Sequence, residues 1–316
     1  MNIRPLRSLR RIATLCAVLA FTGASLAQAQ SAPPAKPYEP RLGQSGKDVM
    51  WLPSKESMIE RLFQMAGVTS KDFVVDLGSG DGKIPIAAAR QLKARALGVE
   101  FNPNMVEFSR RKAAEAGVDK RVEFRQADIF ATDYSQATVV TLYLLPELNL
   151  RLRPTLFKMK PGTRVVSNSW DMQNWQPDET TEVGTANGYL YIIPAHVAGT
   201  WKINYGKKGT PLPNELNLKQ RFQKIEGNAD FGGFKAVFAD PALRGAAIRF
   251  AYRDARGDMI SFAGTTDGNR ISGTAQSRLL GRTRFTAERT SAPTPFEEAA
   301  PTQQEMIDAV KVLGNQ

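Results

Sequence analysis

Two residue types are almost missing. The 316-residue chain has one cysteine, Cys16, and one histidine, His196. A disulfide, a cysteine–histidine zinc site and a catalytic thiol are therefore excluded once the N-terminal leader described below is removed. A serine–histidine triad would rest on His196 alone, which sits in a strand-like run. The net charge is +11, yet no long basic run and no basic–aromatic stripe carries it, so no specific nucleic-acid partner is expected. Four of those charges are arginines within the first 29 residues, which contain no acid. The rest of the positive balance fits an acidic partner, a membrane surface or a solvated basic exterior.

Glycine is concentrated where it has most effect. Residues 72–83 read Asp-Phe-Val-Val-Asp-Leu-Gly-Ser-Gly-Asp-Gly-Lys. Phe73 to Leu77 is a short apolar, β-branched run of the kind buried on both faces of a parallel sheet. Gly78, Gly80 and Gly82 alternate after it and allow a sharp turn with bare main chain against a ligand. A helix follows from Lys83, with Pro85 in its first turn, where a missing N–H costs little. A dinucleotide fingerprint is G-x-G-x-x-G, whereas the spacing here is G-x-G-x-G with Asp81 inside the loop. A carboxylate fixed there repels a pyrophosphate but suits S-adenosylmethionine (SAM), whose ammonium, sulfonium and ribose diol all favour acids.

Downstream residues extend the pattern. Asp76 ends the first strand, where it is expected to order the loop and the methionine end of the ligand. Ala96 to Glu100 reads as a second strand, and Glu100 follows Gly82 by 18 residues, about one crossover helix and turn. A carboxylate there accepts from both ribose hydroxyls, at about 1.5–3 kcal/mol for each charge-assisted bond. Val122 to Asp128 alternates like a third strand, placing Asp128 to accept from the adenine amino group, with Phe101 and Ile129 beside these acids. The expected cofactor-binding set is Asp76, Gly78, Ser79, Gly80, Glu100, Phe101, Asp128 and Ile129; an NAD-type or vestigial site is the alternative.

These residues resemble the class I, seven-strand SAM-dependent methyltransferases. A narrower likeness lies in Asp76 to Ile84, Gly98 to Pro103, Tyr143-Leu144-Leu145-Pro146 and Val165-Val166-Ser167-Asn168, which together are similar to the small protein-lysine methyltransferases of mitochondria and their bacterial relatives. The resemblance covers about residues 40–195. It implies a Rossmann-like α/β domain, SAM as cofactor and a lysine in a protein as acceptor. Transfer to a small molecule or lipid, or a binding module of the cell envelope that has lost turnover, are the alternatives. The Asn/Asp-Pro-Pro-aromatic signature of many N-methyltransferases is absent.

Ala137 to Leu145 reads as the fourth, central strand, so Tyr143 to Glu147 falls at the switch point where ligands of open α/β sheets bind. Tyr143 and Glu147 are the candidates for orienting the acceptor; a plain buried tyrosine and a first-turn helix acid are the bland readings. Leu148 to Met159 is expected to be a helix and residues 164–168 a fifth strand. Ser167, Asn168 and Trp170 emerge at the same sheet edge. Thr180 to Val183 and Tyr189 to Ile193 read as an antiparallel pair with Ala186-Asn187-Gly188 in the turn. Before the domain, residues 43–53 are read either as a segment folding over the cofactor or as a strap across the core. Ser54 is the expected N-cap of an amphipathic helix to Ala66.

The two ends differ from the middle. Residues 1–29 have the arginines, apolar run (Ile12 to about Phe21) and Ala27-Gln28-Ala29 of a signal peptide, the apolar run being short of the roughly 20 residues a span needs. Residues 30–40 read as a linker, 41–196 as the methyltransferase domain, 197–290 as an antiparallel β barrel or sandwich, and 291–316 as a linker and short helix. Expected inward stripes of the β unit include Leu216/Leu218/Phe222 and Ala246/Ile248/Phe250/Tyr252. Thr302-Gln303-Gln304-Glu305 is a capping box opening a helix with Met306, Val310 and Leu313 on one stripe. The expectation is an exported, periplasmic protein, or one anchored to the inner membrane by an uncleaved leader.

Overall fold

The computed structural model describes residues 36–205, 213–278, 281–292, 296 and 300–314. The signal peptide expected at 1–29 lies outside the described residues. The described residues from Tyr38 onward form one compact unit. Among the described residues there is no helix long and apolar enough to cross a membrane.

The first half alternates strand and helix: α1 Glu56–Ala66, β1 Phe73–Leu77, α2 Lys83–Leu92, β2 Arg95–Glu100, α3 Pro103–Glu115, β3 Val122–Gln126, β4 Val139–Leu142, α4 Pro146–Leu156, β5 Arg164–Asn168, β6 Glu179–Val183 and β7 Ala186–Ile192. Seven strands make one sheet in the order β3-β2-β1-β4-β5-β7-β6. β7 alone runs antiparallel to both its neighbours. The strand period of two splits the core: Val74 faces a cluster holding α1, α2 and α3, whereas Val75 and Leu77 face one holding α4. This is the Rossmann-like arrangement that the βα alternation predicts.

Local chemistry moves several boundaries. α1 buries Met58, Ile59, Leu62, Phe63 and Ala66 as its period demands, and Gly67 ends it in the left-handed conformation at φ 56°. Its N-cap is Lys55, without a side-chain cap; the Ser54 hydroxyl instead faces the Asn168 amide at 3.4 Å. α4 begins two residues earlier than its pattern suggests, because Pro146 fits the first helical position. The Asn187-Gly188 pair lies inside β7 rather than in a turn, which falls after Val183 at Gly184, φ 65°. A Cβ at Gly188 would stand 3.0 Å from Leu62 and 3.2 Å from Met58, so that glycine serves the close packing of α1.

The second half is all strand: β8 Gly199–Tyr205, β9 Glu215–Arg221, β10 Lys224–Asp230, β11 Lys235–Val237, β12 Ala239–Arg244, β13 Ala247–Arg253, β14 Met259–Thr266, β15 Arg270–Ser277 and β16 Gly281–Arg289. These nine form one antiparallel sheet in the order β11-β10-β9-β8-β16-β15-β14-β13-β12. It curls into a nearly closed, barrel-like form: Phe238 donates its N–H to the Gly227 carbonyl of β10 at 2.9 Å while its ring stacks on Phe250 of β13 at 4.4 Å. Phe250, Phe262, Phe285 and Tyr252 fill the interior. His196 lies in the irregular connector between β7 and β8, not in a strand, with its ring 4.6 Å from that of Phe296.

The halves meet through residues 222 and 223, among other contacts. Phe222 is not part of the β9 stripe: it occupies the tight turn after β9 at φ 53° and enters the α4-side core, 5.8 Å from Phe157. Trp175, fully buried, donates its indole N–H to Gln223 Oε1 at 3.0 Å. The last helix, α5 Gln303–Gly314, opens with the predicted capping box, Thr302 N–H to Glu305 Oε2 at 2.8 Å and Glu305 N–H to Thr302 Oγ1 at 3.1 Å. It packs through Glu305 and Ala309; Met306 is only half-buried, Val310 is exposed, and the Leu313 side chain lies outside the described residues. An ion pair buried within the body, Glu305 with Arg153 of α4, decides which side of α5 turns inward.

Candidate active site

In an open α/β sheet the crevice opens beyond the carboxyl ends of strands flanking the switch in order, here β1 and β4. A cleft of about 960 Å³, counting the solvent at its mouth, lies there. Asp76, Gly78, Ser79, Gly80, Glu100, Phe101, Asp128, Ile129 and Tyr143 all line it. Glu147 does not; it is a half-buried acid in the first turn of α4.

The glycine loop is pinned by its neighbours. Gly78 and Ser79 donate their N–H groups to the Val99 carbonyl at 2.9 and 3.0 Å, and Gly80 donates to Glu100 Oε2 at 3.0 Å. Glu100 Oε1 accepts from the Asn102 N–H at 2.9 Å, so this carboxylate is fixed at both oxygens and still faces the cleft. Gly78, Gly80 and Gly82 all take positive φ, 82°, 51° and 75°, which explains why glycine stands at each.

Asp76 has a different attachment from the one its position suggests. Its Oδ1 accepts from Thr141 Oγ1 of β4 at 2.5 Å, so it stitches β1 to β4 rather than the loop. Burial pushes its carboxyl up to about 7, the Thr141 hydrogen bond opposes this, and the negative charges of Asp81 and Glu100 add to it. Asp128 goes the other way: the Lys47 ammonium at 2.6 Å and the Phe130 N–H at 2.9 Å hold it below the usual carboxylate range.

Residues 44–54 cover the cleft. Trp51 hydrogen-bonds Gln44 and Gly43 in a small hairpin, its N–H to the Gln44 carbonyl at 2.9 Å and its carbonyl to the Gly43 N–H at 3.1 Å. Its indole nitrogen stands 2.7 Å from where a Cβ at Gly80 would lie, so the ring rests on the loop. Lys47 also sits 5.0 Å over the Phe101 ring. Neither Lys47, Trp51 nor Thr141 has a role legible in the sequence, although the dense polar–apolar mixing of residues 43–53 marks the segment as unusual. Ser167, Asn168 and Trp170 stay out of the cleft: the Ser167 hydroxyl donates to the Trp170 carbonyl at 2.5 Å, and Asn168 faces Ser54.

The lining fits SAM. Five carboxylates, Asp48, Asp76, Asp81, Glu100 and Asp128, face it against two cations, Lys47 and Lys83, and no arginine among the described residues. That balance suits a ligand with an ammonium, a sulfonium and a diol and opposes a pyrophosphate. Ser79 lines the cleft, but its hydroxyl is buried without a hydrogen-bond partner and turned toward Gly98 of β2, where a Cβ would stand 2.6 Å from it. Among the described residues there is no His/Cys/Asp/Glu cluster able to hold a metal. Fold and cleft together define a class I SAM-dependent methyltransferase.

Comparison with known proteins narrows the class. Residues 76–179 match the family model of the ANTKMT methyltransferase domain. A protein-lysine N-methyltransferase of Saccharolobus islandicus is 38% identical over 154 residues, 47% of this chain and 96% of the relative. The mouse adenine nucleotide translocase lysine N-methyltransferase is 34% identical over 121 residues, 38% of this chain, which spans only 53% of that relative. A crystal structure from Salinibacter ruber, described as an RNA methyltransferase with S-adenosyl-L-homocysteine, is 47% identical, covers 46% of this chain and 96% of its own, and superposes with a TM-score of 0.46. The chain belongs to the protein-lysine N-methyltransferase family, and its cofactor is SAM. The family match ends before the nine-stranded sheet begins.

Proposed function

We propose that this protein is exported and methylates the side-chain amine of a lysine in a protein acceptor. The observation that carries the reading is the gathering of Asp76 of β1, Glu100 of β2 and Asp128 just past β3 around one bare-backbone loop. The lysine acceptor is supported by the names of the archaeal and mouse relatives. The acidic lining supports it too, since a lysine is drawn to the carboxylates that would repel a nucleic-acid phosphate.

Bound in the cleft, SAM supplies a methyl group on a sulfonium. In this reading Glu100 holds the ribose hydroxyls, and Asp128 holds the adenine amino group with Phe101 and Ile129 flanking the ring. Gly78, Ser79 and Gly80 let main chain approach, and Asp76 faces the cationic end. Trp51 and its strap exclude water. The lysine gives its proton to solvent before it enters; Tyr143 then accepts a hydrogen bond from the neutral Nζ, which orients the lone pair for in-line attack, and the product leaves as a methylated ammonium. Glu147, outside the cleft, supports α4 by its place in the first turn.

The test is incubation of the full chain with SAM and envelope extract, followed by mass spectrometry of tryptic peptides. Methyl-lysine appearing with the wild type and not with Glu100→Ala supports the reading. Methyl groups found only on nucleic acid or lipid contradict it. A C-terminal tag found in the cytosol, on a chain that keeps its first 29 residues, contradicts export.

A further inference from the structure

The nine-stranded sheet has its own charge pattern, which the methyltransferase chemistry does not use. Cross-strand register fixes which outward side chains are neighbours. Near one end of the sheet the charges alternate in sign: Arg270 of β15 pairs with Glu288 of β16, Glu288 with Lys202 of β8, and Lys202 with Glu215 of β9. Toward the other end they do not. Arg249 of β13 faces Ala263, Ala263 faces Thr274, and Thr274 faces Arg284 of β16. In the row beyond, Ala251 faces Ser261, Ser261 faces Gln276, and Gln276 faces Arg282. Last comes Arg253 opposite Met259.

Arg249, Arg253, Arg282 and Arg284 are all exposed or half-exposed, and among the described residues none has an ion-pair partner within 4.0 Å. Between them lie only Ala, Ser, Thr and Gln, so no bulky side chain stands between the arginines. Three strand spacings separate Arg249 from Arg284, roughly 14 Å. The antiparallel order brings the turns after β10, β13 and β15 to this same end, adding exposed Arg256 and Arg278. The acids here are outnumbered: Asp240, in the β12 bulge beside Arg249, and Asp258, in the turn after β13, stand with Asp254 against six arginines, and Asp254 accepts the N–H groups of Arg256 and Asp258 within its own turn. Two apolar side chains project beside the arginines, Met259 at 39% exposure and Phe234 at 45%. Phe231 links them to the sheet, its ring 5.8 Å from Phe234 and 5.6 Å from Tyr252, the neighbour of Arg253.

We infer that this end of the β domain docks on an anionic lipid surface. Arginines at this end of the barrel meet headgroup phosphates, and the Phe234 and Met259 tips enter the boundary between headgroups and acyl chains. A single-stranded nucleic acid is disfavoured because the arginine rows carry no aromatic ring on which bases stack. Docking would hold the methyltransferase domain beside membrane-associated acceptors. The inference does not depend on which acceptor is methylated.

The experiment is co-sedimentation of the full chain with vesicles of phosphatidylcholine alone or with one-third phosphatidylglycerol. The triple variant R249Q/R282Q/R284Q is compared with K202Q/R270Q, which removes charge from the balanced row of the same sheet. Circular dichroism and SAM binding verify that each variant is folded. At roughly fivefold per basic residue, the triple variant should lose about a hundredfold in partition to the anionic vesicles, the control little, and neutral vesicles should not distinguish them. Raising salt should weaken wild-type binding. Equal losses in triple and control variants overturn the inference. So does wild-type binding to a single-stranded oligonucleotide that exceeds vesicle binding and is lost in the triple variant.

Discussion

Lys47 and Asp128, 81 residues apart in sequence, meet at 2.6 Å beside the cleft, and the same ammonium lies 5.0 Å over the Phe101 ring. One strap residue thus latches onto two side chains of the proposed adenine site. Each partner is about one-third exposed, so the pair contributes only about 0–1 kcal/mol to stability. Its effect is on the strap. Lys47→Met should leave the melting temperature nearly unchanged, speed amide exchange across residues 44–53, and alter SAM affinity by less than about fivefold. Exchange equal to wild type would show that the strap is held elsewhere.

Gly80 makes a sharper prediction. It sits at φ 51°, and a Cβ would come within 2.7 Å of the Trp51 indole. Gly80→Ala should weaken SAM binding by about tenfold or more, through both backbone strain and displacement of the ring. Adding Trp51→Ala relieves the second cause only, so the double variant should recover part of the loss. Calorimetry of the two variants and Trp51→Ala alone measures the coupling.

Asp76 ties binding to pH. Its carboxyl is raised to about 7 chiefly by burial, so in the ligand-free protein it is protonated where the unfolded chain is ionised. Stability from this group is therefore full below about pH 4 and is lost as pH rises through about 7. Asp76→Asn keeps an oxygen for the Thr141 hydroxyl and removes that loss. It should stabilise the ligand-free protein at about pH 8 by roughly 2–4 kcal/mol while abolishing tight SAM binding. In the wild type, SAM should bind more weakly at about pH 5.5 than at about pH 8. Denaturant titrations at both pH values check the stability claim.

The parallel core and cofactor loop were legible because each signal there is local. A buried apolar run, alternating glycines and an acid at each strand end need no tertiary context. Signals that depend on a distant partner were misleading. Asn187-Gly188 looks like a turn, yet Gly188 answers to Leu62 and Met58 of α1. Phe222 keeps the β9 period, yet the chain turns there and sends the ring to Phe157. Ser54 is a good capping type, yet Lys55 takes the cap. The Met306/Val310 stripe of α5 yields to Glu305, whose partner Arg153 is 152 residues away. In the site, Asp76 was placed correctly on β1, but its bond to Thr141 required knowing that β4 lies beside β1.

The Arg153–Glu305 pair carries its own prediction. Arg153 is 1% and Glu305 6% exposed, with Nη1 to Oε1 2.7 Å and Nη2 to Oε2 3.0 Å. Burial alone would raise the Glu305 carboxyl, but hydrogen bonds from Arg153 and Thr302 bring it down to about 2. The stability it adds is present above about pH 4.5 and is lost as pH falls toward about 2. Glu305→Ala leaves the buried guanidinium without its counter-charge, though still bonded to the Met172 and Ala300 carbonyls, and should cost about 3 kcal/mol. Thermal melts with limited proteolysis should show α5 released first.

The most direct measurement is calorimetric titration of the full chain with SAM, repeated on Glu100→Ala. One site per chain, with affinity reduced about tenfold or more in the variant, is the predicted outcome. Heats of equal size and affinity for both proteins, or none for the wild type, would contradict the assignment of this cleft to the methyl donor.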